Sequence, residues 1–185
     1  LTSLAKRETK YKLQIIERNI ADSGSLNILY SPASAVVESG LGRNAEELRK
    51  MVEKCARLAA DSTICIDSVL ILSSSSPEGS YRINSRLSQE RADSLASYLS
   101  AELPAEMPRA LIRTRGMGED WQGLFALVQQ EKGLPVKEIL ATSAISNPER
   151  REALLATKGY YQELKSHIYP KLRRSPFKWY AHRRG

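Results

Sequence analysis

The residue whose type and position best suit ligand chemistry is Arg91, within the run Leu-Ser-Gln-Glu-Arg-Ala at residues 87–92. A guanidinium presents a planar fork of N–H donors that matches a carboxylate, so a protected arginine can capture an anionic group. Leu87 and Leu95 lie four residues before and after Arg91, which places the arginine on the semi-buried side of a helix. The spacing therefore predicts a half-buried arginine rather than a plain surface one, and its residue type suits the capture of an anion.

A polar turn precedes this helix and is the second candidate for a site. Residues 65–72 are β-branched and aliphatic, and they run directly into Ser-Ser-Ser-Ser-Pro-Glu-Gly at residues 73–79. This pattern predicts a buried strand that ends in a polar turn. Gly79 is expected to adopt a positive φ, and Asn84 is expected either to fix the turn or to cap the next helix.

The sequence contains none of the motifs that commonly carry catalysis. It has no Gly-rich phosphate loop, no His-Glu-x-x-His motif and no Cys-His nucleophile arrangement. Cys55 and Cys65 lack CxxC spacing, and His167 and His182 stand alone, so neither a metal nor a cofactor is expected. The cysteines are expected to be buried thiols, with one disulfide bridge as the alternative. We therefore expect a non-enzymatic protein.

Helices and strands alternate along most of the chain. Strands are predicted over residues 27–37, 65–72, 109–115 and 177–182. Helices are predicted from Asn44 to residue 59 and from Asn84 or Ser85 to about residue 103, with Asn44 as the first N-cap. Three further helical patches cover residues 121–131, 148–157 and 160–172, and residues 1–24 fit either a strand or a helix.

The turn at residues 75–80, Asn84, the run 87–92 and Gly-Met-Gly-Glu at 116–119 together resemble the peptidoglycan-binding OmpA-like domain. The resemblance covers residues 26–119 and the last strand. It implies an α+β two-layer sandwich: a mixed four-stranded sheet of the order β-α-β-α-β…β, with helices on one face. Residues 1–25 would be an N-terminal arm, residues 26–185 the domain, and residues 120–176 a helical insertion before the final strand.

The resemblance also implies a ligand. In the family, the arginine at the position of Arg91 and an acid in the turn clamp the zwitterionic end of diaminopimelate in the peptidoglycan stem peptide. Ser76 occupies the position of that acid, and Glu78 is either a replacement carboxylate or a solvated turn residue. A further alternative is that Arg91 pairs with an acid of the chain such as Glu119. The candidate ligand-binding residues are Ser75, Ser76, Glu78, Asn84, Leu87, Arg91 and Glu119.

Function follows from the resemblance as an expectation. It implies a non-catalytic peptidoglycan-binding module, without cofactors, in the periplasm or outer membrane of a Gram-negative bacterium. The module would belong to a longer envelope protein that reaches the membrane through its other parts. The alternative is a protein that kept the fold, lost the ligand and serves as an interaction or assembly module for an envelope protein partner.

The positive charge is concentrated near the C-terminal end of the chain. Residues 121–185 hold 12 basic and 5 acidic groups, and the formal net charge of the whole chain is +7. Within this range, residues 171–184 hold six basic groups and no acid. This stretch can bind nucleic acid, anionic lipid or lipopolysaccharide, but a solvated basic face is the more ordinary interpretation, so no nucleic-acid partner is expected. No apolar run approaches the ~20 residues that a transmembrane helix needs.

Overall fold

The structure is a computed structural model that describes residues 19–31, 33–103 and 109–184. Four strands form one mixed sheet in the order β1-β4-β2-β3. Their bounds are Asn19–Asn27 for β1, Ile64–Ser75 for β2, Ile112–Glu119 for β3 and Arg174–Arg183 for β4. β2 and β3 are parallel, whereas β4 lies antiparallel between β1 and β2. The last strand therefore returns to the middle of the sheet.

Two helices, α1 (Asn44–Ala60) and α2 (Tyr81–Glu102), cover one face of this sheet. Apolar residues recur on each helix with helical spacing, and alternate residues of β2 and β4 point into the same core. This core includes Leu48, Met51, Leu95, Leu99, Val69, Ile71, Phe177 and Trp179. The predicted α+β sandwich with a mixed four-stranded sheet is confirmed.

A helical region with its own core lies between β3 and β4. It consists of α3 (Trp121–Val128), α4 (Val136–Ala141), α5 (Pro148–Ala156) and α6 (161–172), whose middle turn, Leu164–Ile168, is π-helical. The core includes Leu124, Val128, Ile139, Leu155, Leu164 and Leu172. The helices predicted for this region are confirmed. No helix among the described residues is both long enough and apolar enough to cross a membrane.

The first strand lies earlier in the chain than predicted. β1 ends at Asn27, so the strand predicted over residues 27–37 is wrong, and residues 19–25 of the predicted arm belong to the sheet. Ile28 and Tyr30 are buried in the core but pair with no strand. Their alternating burial is the pattern that a half-buried strand would also give. Residues 1–18, for which the sequence left helix and strand open, lie outside the described residues, and the division into an arm and a domain stays a prediction.

The helix cap predicted at Asn44 is wrong, and of the two alternatives predicted for Asn84 the cap is wrong whereas the bond to the turn is present. Asn44 is the first helical residue of α1, and its buried amide bonds the backbone N–H and C=O of Leu29 and the C=O of Glu38. Asn84 lies inside the first turn of α2, whose N-cap position is Ser80. Each amide ties a loop to a helix because an asparagine can satisfy donors and acceptors at once.

Candidate functional site

A cavity of about 320 Å³ opens at the carboxyl end of β2. Its walls come from the turn after β2, from α2 and from the irregular segment after β1. Six of the seven predicted ligand-binding residues line it: Ser75, Ser76, Glu78, Asn84, Leu87 and Arg91. Glu119 is not among the lining residues. The sequence prediction missed Ser31, Ala33 and Arg173, which the sheet order brings to the same cavity.

Arg91 lies in the middle of α2 and is only 4% exposed. Its Nε donates to the carbonyl oxygen of Ser34 at 3.1 Å, and its guanidinium carbon lies 4.5 Å from the centre of the Tyr30 ring. Among the described residues, no carboxylate lies within ion-pair distance of this guanidinium. Arg91 is therefore held in place by a carbonyl and an aromatic face, neither of which neutralises its charge.

The cavity is electropositive. Burial lowers the pKa of Arg91 to about 10, Tyr30 opposes this shift, and the positive charge of Arg173 adds to it. Burial also raises the pKa of Tyr30 to about 12, so the phenol beside Arg91 is neutral at physiological pH. Because Arg91 still carries its charge at neutral pH, two guanidiniums contribute to the field of one cavity.

Asn84 fixes the turn that forms one wall of the cavity. Its Nδ2 donates to the carbonyl oxygen of Glu78 at 3.0 Å and to Oε1 of Glu119 at 2.8 Å. Gly79 has the expected positive φ of 97°. The other carboxylate oxygen of Glu119 accepts from Nε1 of Trp121 at 2.8 Å. Glu119 therefore connects the turn to α3, and it does not neutralise Arg91.

The cavity lacks an unengaged carboxylate among the described lining residues. Glu78 is the acidic residue of that wall, and its Oε1 pairs with Nζ of Lys165 from α6 at 2.7 Å. Ser76 carries no charge and is 6% exposed. Oγ of Ser75 is buried and has no hydrogen-bond partner among the described residues. The turn thus offers hydroxyls to a ligand, while Glu78 is engaged by the helical region.

The start of α2 is also engaged by the helical region. Oε1 of Glu149, in α5, accepts from the backbone N–H of Tyr81 at 3.2 Å and lies 3.5 Å from Oγ of Ser80. A carboxylate is stabilised at a helix N-terminus, where backbone N–H groups lack partners. One backbone N–H at the start of α2 is therefore bonded by a carboxylate of the chain itself.

Burial gives Glu119 a stability contribution that depends on pH. Its pKa is raised above the ordinary value of 4.5, mainly by burial, while the hydrogen bonds from Asn84 and Trp121 oppose the shift. Between pH 4.5 and the raised pKa, the folded protein holds a proton that the unfolded chain has released. The contribution of Glu119 to the free energy of unfolding therefore decreases as pH rises through this window.

Glu119→Gln should remove this dependence, because glutamine does not titrate. We expect the free energy of unfolding of the wild type, minus that of the variant, to decrease as pH rises from 4.5 and then to level off. Urea unfolding at a series of pH values measures both proteins under the same conditions. A difference that increases as pH rises above 4.5 would contradict a raised pKa of Glu119 in the folded protein.

Comparisons with known proteins concern the fold. No protein-family model matches the sequence, and no curated protein matches it. The structure is similar to the OmpA-like domain of FopA1 from Francisella tularensis, with 12% identity, a TM-score of 0.47, and coverage of 90% of this chain and 77% of that one. It is also similar to the cell wall anchor of the T6SS from Pseudomonas aeruginosa, with 14% identity, a TM-score of 0.46 and coverage of 95% of each chain. The first of these is named for the family that the sequence motif resembles.

Proposed function

We propose that this protein is a non-catalytic module that binds the peptide stem of peptidoglycan and anchors an envelope protein to the cell wall. The observation that carries the proposal is the buried guanidinium of Arg91, which lines a cavity and has no carboxylate partner among the described residues. Burying a charge without a counter-charge is costly. A site that retains such a charge at a ligand-sized cavity favours an anion from outside the chain.

The resemblance of the motif to OmpA-like domains supports a carboxylate of the stem peptide as this anion. It also supports a place for the module in the periplasm or at the outer membrane of a Gram-negative bacterium, as part of a longer protein. Diaminopimelate carries a carboxylate and an ammonium at its side-chain end, whereas lysine carries the ammonium alone. Because two arginines face the cavity and Glu78 is paired with Lys165, the carboxylate end should dominate recognition.

Isothermal titration of the full chain with stem peptides tests the proposal. We expect heat with a diaminopimelate-type stem, and much weaker heat with a lysine-type stem that lacks the side-chain carboxylate. The absence of heat with both stems at millimolar concentration would remove the proposal. Equal heat with both stems would show that Arg91 does not bind the side-chain carboxylate of diaminopimelate.

Ser76→Asp should strengthen binding of the diaminopimelate stem, because it restores a carboxylate where the family has one. A hydrogen bond to a charged group contributes roughly 1.5–3 kcal/mol, so the affinity should rise about 10- to 100-fold. Titration of the variant with the same peptide measures the gain. Since Ser76 is buried, urea unfolding of the variant must first show that the fold is retained.

Ser76→Asn is the matched control for this substitution, because it adds a side chain of the same size without the charge. It should leave the affinity within a few-fold of the wild type. If aspartate and asparagine have the same effect, the ligand's ammonium does not lie beside residue 76, and the orientation proposed for diaminopimelate is wrong.

A protein that kept the fold but serves as an interaction module is the second candidate. The observation that favours it is the pair of contacts from the helical region to the cavity rim, Lys165 to Glu78 and Glu149 to Tyr81. These contacts hold α5 and α6 beside the cavity, where they can restrict its entrance or dock a protein partner. The unneutralised charge of Arg91 favours the peptidoglycan-binding module over the interaction module. The titration with stem peptides distinguishes these two functions.

A further inference from the structure

The outer face of the sheet carries a cluster of three metal-binding side chains that the sequence analysis did not connect. Cys65 and Asp67 belong to β2, and His182, which stands alone in the sequence, belongs to β4. Cys65 lies directly opposite His182 in the antiparallel pairing. One potential ligand atom from each of the three residues lies within 4.8 Å of the other two. His182, expected from the sequence to stand alone, therefore lies beside Cys65 and Asp67.

An irregularity in β2 brings the third residue into this cluster. The register between β2 and β4 shifts between Ile66 and Ser68, which leaves Asp67 as an extra residue without a partner. A bulge of this kind re-aims a side chain, and such bulges are common next to functional sites. Here it places Oδ1 of Asp67 2.9 Å from Nδ1 of His182. The two central strands, β2 and β4, thus supply one sulfur, one nitrogen and one oxygen atom that can each bind a metal ion.

We propose that Cys65, Asp67 and His182 form a binding site for a divalent transition-metal ion, with Zn²⁺ as the best match. Thiolate, imidazole and carboxylate are the three protein ligand types that zinc takes, and a thiolate with a carboxylate offsets both charges of the ion. Bonds of about 2.0–2.3 Å require tetrahedral ligands to lie about 3.3–3.8 Å apart. Metal binding therefore requires the Asp67 and His182 atoms, now 2.9 Å apart, to move slightly apart, and ligand atoms near the 4.8 Å limit to move closer together.

The surroundings favour an open site rather than a closed structural one. Asp67 is exposed, and Cys65 and His182 are partly exposed, so an ion can enter and its fourth position can hold water or an external ligand. The other cysteine, Cys55, is buried on the opposite side of the sheet, where burial raises the pKa of its thiol to about 12. Cys65 therefore supplies the thiolate in this proposal.

The metal itself is the probe for this site. The full chain, without an affinity tag and with its thiols reduced, is titrated with Zn²⁺ in competition with a chromophoric chelator and separately with Co²⁺. We expect one equivalent of either ion, and a thiolate-to-cobalt charge-transfer band with the intense visible bands of a tetrahedral complex. No uptake of Zn²⁺ at concentrations well above those of the protein would overturn the proposal.

Variants separate this site from adventitious binding. Cys65→Ser should abolish the charge-transfer band, and Asp67→Asn and His182→Asn should each weaken zinc binding by more than the roughly 10- to 100-fold typical of residues that only support a ligand. His167→Asn, at an exposed histidine of α6, is the matched control and should bind as the wild type does. Binding that survives Cys65→Ser, or that is lost equally in His167→Asn, would identify surface binding only and overturn the proposal.

Metal binding at this cluster is independent of the proposed cell-wall function. The cluster lies near the start of β2, whereas the cavity lies at its end. The three substitutions are on the partly exposed outer face and should leave the thermal unfolding of the metal-free protein and its titration with stem peptides unchanged. Loss of metal binding with stem-peptide binding intact, or the reverse, assigns each property to its own residues.

Discussion

A protein in which methionine replaces Arg91 is expected to bind a diaminopimelate-type stem peptide at least about 100-fold more weakly than the wild type does. A guanidinium makes up to two parallel charge-assisted hydrogen bonds to one carboxylate, and each contributes roughly 1.5–3 kcal/mol. Methionine keeps an unbranched apolar side chain, but it provides no donor and loses the contact of the guanidinium with the Tyr30 ring. Isothermal titration measures the affinity, and urea unfolding measures the stability of the same samples.

The stability of this variant should change much less than its affinity. Removing a buried charge that has no counter-charge relieves a desolvation cost, which offsets the lost hydrogen bond to the carbonyl of Ser34. Arg91→Lys keeps the charge but loses the planar fork, so its affinity should fall between those of the methionine variant and the wild type. Graded loss of binding at nearly constant stability would assign Arg91 to the ligand rather than to the fold.

Arg113→Met is the matched control, because Arg113 is exposed on β3 and does not line the cavity. Its affinity for the stem peptide should equal that of the wild type. If both arginine variants weaken binding to the same extent, the effect is one of overall charge. If Arg91→Met binds normally while folded, the carboxylate does not bind at Arg91 and the proposed function is wrong.

The sequence predicted the elements whose pattern is local. The helical spacing of apolar residues predicted α1 and α2, and the aliphatic run predicted β2, because each pattern indicates a buried face within a single segment. The structure contains both helices and the strand. The positive φ of Gly79 was predicted for the same reason, and the bond from Asn84 to the turn was one of the two alternatives predicted for that residue. Local patterns were misleading where a buried loop imitated a strand, as at Ile28 and Tyr30.

Contacts that depend on sheet order could not be predicted. β4 lies between β1 and β2, so Arg173, just before this strand, reaches the cavity and His182, near its end, reaches Cys65. No spacing in the sequence indicates either meeting. The same holds for Lys165, which engages Glu78 only because α6 packs beside the turn. The sequence thus predicted the arginine and the hydroxyls of the site. It did not predict that Glu78 pairs with Lys165 or that Glu119 accepts a hydrogen bond from Asn84.

The electropositive character of the cavity follows from these long-range contacts taken together. Ser76 carries no charge, the nearby Glu78 is paired with Lys165, and Arg173 adds a second guanidinium. Each of these features leaves the cavity with less negative charge or with more positive charge. A ligand that presents a carboxylate is therefore favoured over one that presents only an ammonium, which is why the two types of stem peptide are the decisive pair of ligands.

Replacing Gly116 by alanine should destabilise the fold strongly, because α2 packs directly on this residue of β3. A Cβ added at Gly116 would lie 2.5 Å from the backbone nitrogen of Gln89, 2.7 Å from its Cα and 2.7 Å from Oγ of Ser88. Backbone atoms of a buried helix cannot move aside cheaply, so the helix and the strand must separate. We expect the free energy of unfolding to fall by about 3 kcal/mol, at the upper end of the usual cost of overpacking.

The separation would also break two hydrogen bonds that align α2 with β3. The backbone N–H of Gly116 donates to Oε1 of Gln89 at 2.7 Å, and that of Gly118 donates to Oγ of Ser88 at 2.9 Å. Since Arg91 lies on the same helix two residues after Gln89, the surviving folded protein should bind the stem peptide more weakly as well. Urea unfolding and isothermal titration of the same variant measure both effects.

Gly40→Ala is the matched control, because an added Cβ at Gly40 meets nothing within 4 Å. It should change the free energy of unfolding by no more than about 0.5–1 kcal/mol, the range expected when only the entropy of the unfolded chain is altered. A loss of stability in Gly116→Ala as small as that of the control would show that α2 does not pack this closely on β3. The positioning of Arg91 over the cavity would then need another explanation.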